Sequence, residues 1–80
     1  MEQSSIIVKA RWDQDAGVFT ASSSDIEGLA IEAATFEELR EKVLSTIPEL
    51  MELNGVKSDH AELPVHIMAE EVRVVKVPNA

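Results

Sequence analysis

The stretch from Phe36 to Asn54 reads as an amphipathic helix, and it dictates what the rest of the chain must provide. Thr35 precedes it with a hydroxyl placed to accept from the backbone N–H three residues on, and Glu38 can reach back, the pattern of a capping box. Asn54-Gly55 closes it, because glycine enters the left-handed conformation that ends a helix without Cβ strain. Phe36, Leu39, Val43, Ile47 and Leu50 recur at steps of three and four. At about 100° per residue they occupy an arc of roughly 80°, which Leu44 and Met51 widen. Such a stripe needs a broad apolar surface, and the β-type stretches on either side can build one. Pro48 deletes a helical hydrogen bond and crowds the preceding turn. The apolar phase runs through it unchanged, which predicts one helix kinked near Leu44 to Ile47. The alternative is a break, with Pro48 opening a separate last turn.

Before the helix, Ile6, Val8, Ala10 and Trp12 alternate with Ile7, Lys9 and Arg11, a strand with one covered face. Asp13-Gln14-Asp15-Ala16-Gly17 is turn chemistry, and Val18 to Ser22 returns as the second strand of a hairpin. Ser22-Ser23-Ser24-Asp25 breaks the pattern, and Ile26-Glu27-Gly28 leads to a third strand with Leu29, Ile31 and Ala33 on one face. After the helix, Val56 to Glu62 is a polar connection and Leu63 to Val77 is rich in β-formers. Its phase slips halfway: Val65, Ile67 and Ala69 are odd, Val72 and Val74 even. A β-bulge at Glu70-Glu71, or two strands divided there, accounts for the slip. The order is β-β-β-α-β, and the expected fold is α+β, an antiparallel sheet with one helix on one face.

Eighty residues make a single domain, 1–80, with an ordered core of about 5–77. A chain this short buries only about 60–65% of its unfolded surface, so modest stability is expected. It has no cysteine, which excludes disulfides and thiolate metal sites and suits a reducing cytoplasm. Apolar runs of two or three residues are far short of the roughly 20 that span a membrane, and Met1 to Ser5 lacks a signal-peptide pattern. The expected protein is soluble and cytoplasmic. Fifteen acids against seven bases give a formal charge of −8, which repels phosphate backbones and argues against direct nucleic-acid binding. The same field would speed encounter with a basic partner, although it also serves plain solubility.

Few residues suggest chemistry. Asp13, Asp15, Asp25 and Glu27 lie in two loops, but their spacing is not that of a calcium loop, and loop aspartates commonly start turns. His60 and His66 lack a second histidine or cysteine at ligand spacing, and Ser22 to Ser24 form no nucleophile elbow. No metal, cofactor or catalytic residue is expected. Trp12, the only tryptophan, stands at a strand end beside an acidic turn, where it either packs into the core or anchors a partner. Val72, Arg73, Val74, Val75, Lys76 and Val77 would expose a sticky edge strand, a candidate surface for homodimerisation or strand addition.

Three segments together carry a family resemblance: Trp12-Asp13-Gln14-Asp15-Ala16-Gly17-Val18-Phe19-Thr20-Ala21, Ser24-Asp25-Ile26-Glu27-Gly28-Leu29 and Thr35-Phe36-Glu37-Glu38-Leu39. In order and spacing the chain resembles the HicB-like antitoxin family. Its segment Ile47-Pro48-Glu49-Leu50-Met51-Glu52-Leu53-Asn54-Gly55 is similar to a short branch known only as a domain of unknown function. The resemblance covers about Ile6 to Val77 and implies a partial ribonuclease-H-like fold without nuclease activity. It also implies a partner, a small basic toxin that cleaves messenger RNA and whose surface the antitoxin covers. Many members add a DNA-binding segment, which is not expected after a last strand that ends close to Ala80. Ile6 to Trp12 contains no acid, whereas active ribonuclease-H enzymes place a metal-binding carboxylate on the first strand. The expectation is a non-enzymatic, dimeric binding module meeting a basic toxin through Trp12, Asp13, Asp15, Asp25 and Glu27. The alternative is a stand-alone dimerising domain with no toxin partner.

Overall fold

Alternation along the first strand sets the two faces of the sheet. The computed structural model describes residues 4–56 and 61–78. In β1 (Ile6–Asp13), Ile6, Val8 and Ala10 are buried while Ile7, Lys9 and Arg11 are exposed on the opposite face. β2 (Val18–Ser22) pairs with β1 antiparallel, and β3 (Ala30–Ala33) pairs with β2 in the same sense. The helix α1 (Phe36–Leu53) follows, and β4 (Val65–Glu70) then returns beside β1, giving the order β3-β2-β1-β4.

The sheet is mixed, not antiparallel as the sequence reading had it, because β4 runs parallel to β1 with Ile6 opposite Val65 and Ala10 opposite Ala69. The reason is the length of α1. Its 18 residues extend about 27 Å, so the helix carries the chain back across the whole sheet to the end where β1 begins. A strand starting there runs alongside β1 in the same direction, the usual outcome of a helical crossover. Ile6 N–H donates to the Pro64 carbonyl at 3.1 Å and fixes that start.

The helix behaves as its stripe requires. Leu39, Val43 and Ile47 are buried, and Phe36, Leu50 and Met51 pack at the margin of the same core. Burial of each large side chain contributes about 1.5–3 kcal/mol. Ile26 and Leu29, from the loop before β3, complete the core and are as buried as the strand residues. Thr35 Oγ1 accepts from Glu38 N–H at 3.1 Å, while the Glu38 carboxylate pairs forward with Lys42 Nζ at 3.2 Å. Asn54 caps the C-terminus, and Gly55 follows at φ 64°, a conformation that an L side chain adopts only with strain. The helix continues through Pro48 without a break. Replacing Thr35 with Ala should lower stability by about 1 kcal/mol, measurable as a shifted urea midpoint at constant slope.

Beyond Glu70 the structure departs from the sequence reading. Val72 to Val77 form no strand, and residues 71–77 leave the sheet without regular secondary structure. Val72, Val74, Val75 and Val77 are 66%, 93%, 82% and 70% exposed. High β-propensity makes a strand only beside another strand. β1 continues only two residues past Arg11, the partner of Glu70, before it turns away, and among the described residues no strand pairs with the chain after Glu70. The molecule measures 57 × 20 × 18 Å with a radius of gyration of 15.6 Å. A compact chain of this length would have about 12 Å, so the segment projects as an arm.

Candidate protein-interaction surfaces

The acidic loops lie at opposite ends of the sheet. Asp13 is the last residue of β1, one position beyond the acid-free strand read from the sequence. Its Oδ1 accepts from the N–H groups of Asp15 at 3.1 Å and Ala16 at 3.2 Å, so this carboxylate shapes the β1–β2 turn. At the other end, pairing between β1 and β2 stops at Lys9 and Ser22. The loop beyond takes over as the neighbour of β1. Asp25 Oδ2 accepts from Ile7 N–H at 2.7 Å, and Ser23 Oγ donates to the Ile7 carbonyl at 2.6 Å. Side chains thus satisfy backbone groups that a longer β2 would have bound. Glu27 is exposed, and its carbonyl accepts from Asn54 Nδ2 at 2.8 Å, tying this loop to the end of α1.

Asp13 and Asp15 are therefore separated from Asp25 and Glu27 by the length of β1, about 20 Å at roughly 3.3 Å per residue. They form two patches, not one. Among the described residues the ion pairs are Arg11–Glu70, Lys42–Glu38 and Arg73–Glu71, and none of these involves Asp13, Asp15, Asp25 or Glu27. Among the described residues no group of three or more His, Cys, Asp or Glu is placed to hold a metal ion. His66 is exposed on β4, and His60 lies outside the described residues.

Trp12 is half-buried and belongs to an aromatic row. Its ring meets Phe19 edge-on at 4.9 Å between centroids, and Phe19 meets Phe36 at 6.0 Å. Arg73, at the root of the arm, lies 5.7 Å above the Trp12 ring, a cation–π contact. Glu71 accepts from the Arg73 guanidinium at 2.9 Å and raises its already high pKa, first through that hydrogen bond and then through charge. Arg73 thus faces the same side of the sheet as Trp12, the side that carries α1.

Sequence reasoning missed an apolar groove of about 430 Å³ between α1 and the chain leading into β4. Leu44, Pro48 and Met51 line it from the helix, Leu63 and Val65 from the other side. It exists because α1 packs closest to β3 and β2, leaving Val65 and Ile67 of β4 only half covered. Leu44 on the outer margin of the helical stripe, 48% exposed, was the available signal. On the face without the helix, Ile7 and Met68 are 42% and 55% exposed. Among the described residues, no helix is long and apolar enough to cross a membrane.

Comparison with known proteins places the chain in a family. No curated protein matches the chain. A crystal structure of a hypothetical protein from the extremely thermophilic bacterium Thermus thermophilus is similar at 45% identity and a TM-score of 0.66, covering 91% of this chain and 99% of the other. The family model for a domain of unknown function, DUF1902, matches residues 5–77. With that match extending from the start of β1 to the end of the arm, the chain belongs to the DUF1902 family.

Proposed function

We propose that this protein is a non-enzymatic binding module of the antitoxin type, which neutralises a small basic RNA-cleaving protein by covering its surface. The observation that carries this reading is the pair of acidic loops, with no ion pair among the described residues, at the two ends of one sheet in a chain of net charge −8. The resemblance to HicB-like antitoxins in the loop and helix-start segments supports it, as does the β-β-β-α-β order. Asp15 and Glu27 are the acids best placed to meet Arg and Lys of a partner, since Asp13 and Asp25 already hold their own backbone. A partner engaging both loops lies along β1 and spans about 20 Å, the scale of a small domain. Desolvation of the carboxylates against its basic groups would exclude RNA from the same surface.

The test begins with the neighbouring genes and the small basic protein that one of them would encode. Mixed in equal amounts, this chain should suppress cleavage of RNA by that protein. Asp15→Lys with Glu27→Lys should weaken the complex at least tenfold and restore cleavage, with the circular dichroism spectrum unchanged. Full cleavage in the presence of the wild-type chain would sink the reading. The second reading, a stand-alone dimerising domain without a toxin, is favoured by the exposed valines of the arm.

A further inference from the structure

We propose that the arm is the outer strand of a second copy's sheet: residues 65–77 of two chains pair antiparallel about a two-fold axis at Glu71, each arm lying along its partner's β4. This holds whether or not a basic partner exists. The first support is the sheet order, which leaves the outer edge of β4 unpaired. The second is the arm itself, a β-forming segment with four exposed valines and no paired strand among the described residues. An open edge and an unpaired strand of matching length in one molecule are self-complementary, and a two-fold axis closes the contact without forming fibres.

Side-chain phase supplies the third support. In β4 the odd residues Val65, Ile67 and Ala69 share the helix side with Ile6, Val8 and Ala10 of β1, while His66, Met68 and Glu70 face the open side. The Arg73 guanidinium reaches the Trp12 ring on the helix side, and the proposed register continues that odd phase into the arm. With the axis at Glu71, Val75 falls opposite the partner's Ile67 and Val77 opposite the partner's Val65. Both valines then sit on the helix side, beside the partner's groove between α1 and β4. Val74 falls opposite the partner's Met68 on the open face. The half-covered apolar side of β4, the groove and the exposed Met68 thereby gain Val74, Val75 and Val77 as apolar neighbours. With two arms and the surfaces they meet, the area is on the order of 1,500 Å², that of a stable interface. The two Glu71 carboxylates meet near the axis, each already paired with an Arg73.

The 80-residue sequence contains no cysteine, so introduced cysteines report the register directly. In an antiparallel pair, opposed Cα atoms lie about 4.5–5.5 Å apart, within disulfide reach. Glu71→Cys should oxidise to a covalent dimer on a non-reducing gel, and Met68→Cys combined with Val74→Cys should do the same. Light scattering should give twice the chain mass for the wild type. Val74→Asp with Val75→Asp should halve that mass and leave the circular dichroism spectrum unchanged, since both side chains are exposed in the single chain. A wild-type monomer at high micromolar concentration would overturn the proposal. So would a dimer that survives the double aspartate change, or a dimer in which neither cysteine variant cross-links.

Discussion

Leu39→Ala is expected to leave the protein largely unfolded at 37 °C. Leu39 lies in the first half of α1, fully buried, in the core it shares with Val8, Val43 and Ile26. Truncating a buried leucine removes the transfer energy of three methyl-scale groups and leaves a cavity, at a cost of about 2–5 kcal/mol. A domain of this length has little more than that to lose, at roughly 0.05–0.15 kcal/mol per residue. Its neighbours are poorly able to collapse into the gap. The sheet under Leu39 is held by ladders on both sides of β1, and the start of the helix is pinned by Thr35. Urea denaturation followed by circular dichroism should show the midpoint displaced by most of the wild-type value. An equal change at Leu44, half exposed on the same helix, should cost less than a third as much. A Leu39→Ala protein with a near wild-type midpoint would mean that α1 is not seated on this sheet.

The contrast between Leu39 and Val74 shows what could be read from the residues alone. The limits of the helix were legible because Thr35, Asn54 and Gly55 act within one turn of themselves. Its buried stripe was legible because a period near 3.6 survives whatever lies beneath. The hairpin was legible for the same reason, with local turn chemistry between two alternating runs. The direction of β4 was not. It depends on the end of the sheet at which a helix of about 27 Å delivers the chain, and both directions fit the same alternation. The strand expected at Val72 to Val77 does not form within the single chain, because propensity describes a residue's comfort in a ladder and says nothing about whether a ladder is there. The break at Glu70-Glu71, however, did mark the place where the strand stops. The spatial grouping of the candidate acids was not legible. Asp25 binds the backbone of Ile7, 18 positions earlier, and such a contact leaves no trace in local spacing. The groove escaped notice because it is made by where α1 fails to cover β4, a property of two elements and not of either sequence.

Pro48→Ala is expected to stabilise the chain, raising its melting temperature by about 5–20 °C. Proline within a helix costs up to about 3 kcal/mol relative to alanine, through the missing N–H and the clash with the preceding turn. Here α1 continues through Pro48, so the carbonyl of Leu44 has no N–H four residues on to bind. Pro48 is exposed, and alanine at that position restores the donor without opening a cavity in the core. A gain of about 1–3 kcal/mol translates to roughly 4–8 °C per kcal/mol in a domain of this size. The residue lines the groove between α1 and β4, together with Leu44 and Met51. A proline retained there at the expense of helix stability is what a binding surface would select, since its ring supplies rigid apolar area at little entropic cost. The two effects separate by concentration. At low concentration, where the chain is monomeric, Pro48→Ala should melt higher than the wild type. In the dimer proposed above that advantage should shrink, because Val77 of the partner would lose the ring it packs beside. A melting temperature unchanged or lowered at every concentration would show that the helix already accommodates Pro48 without penalty.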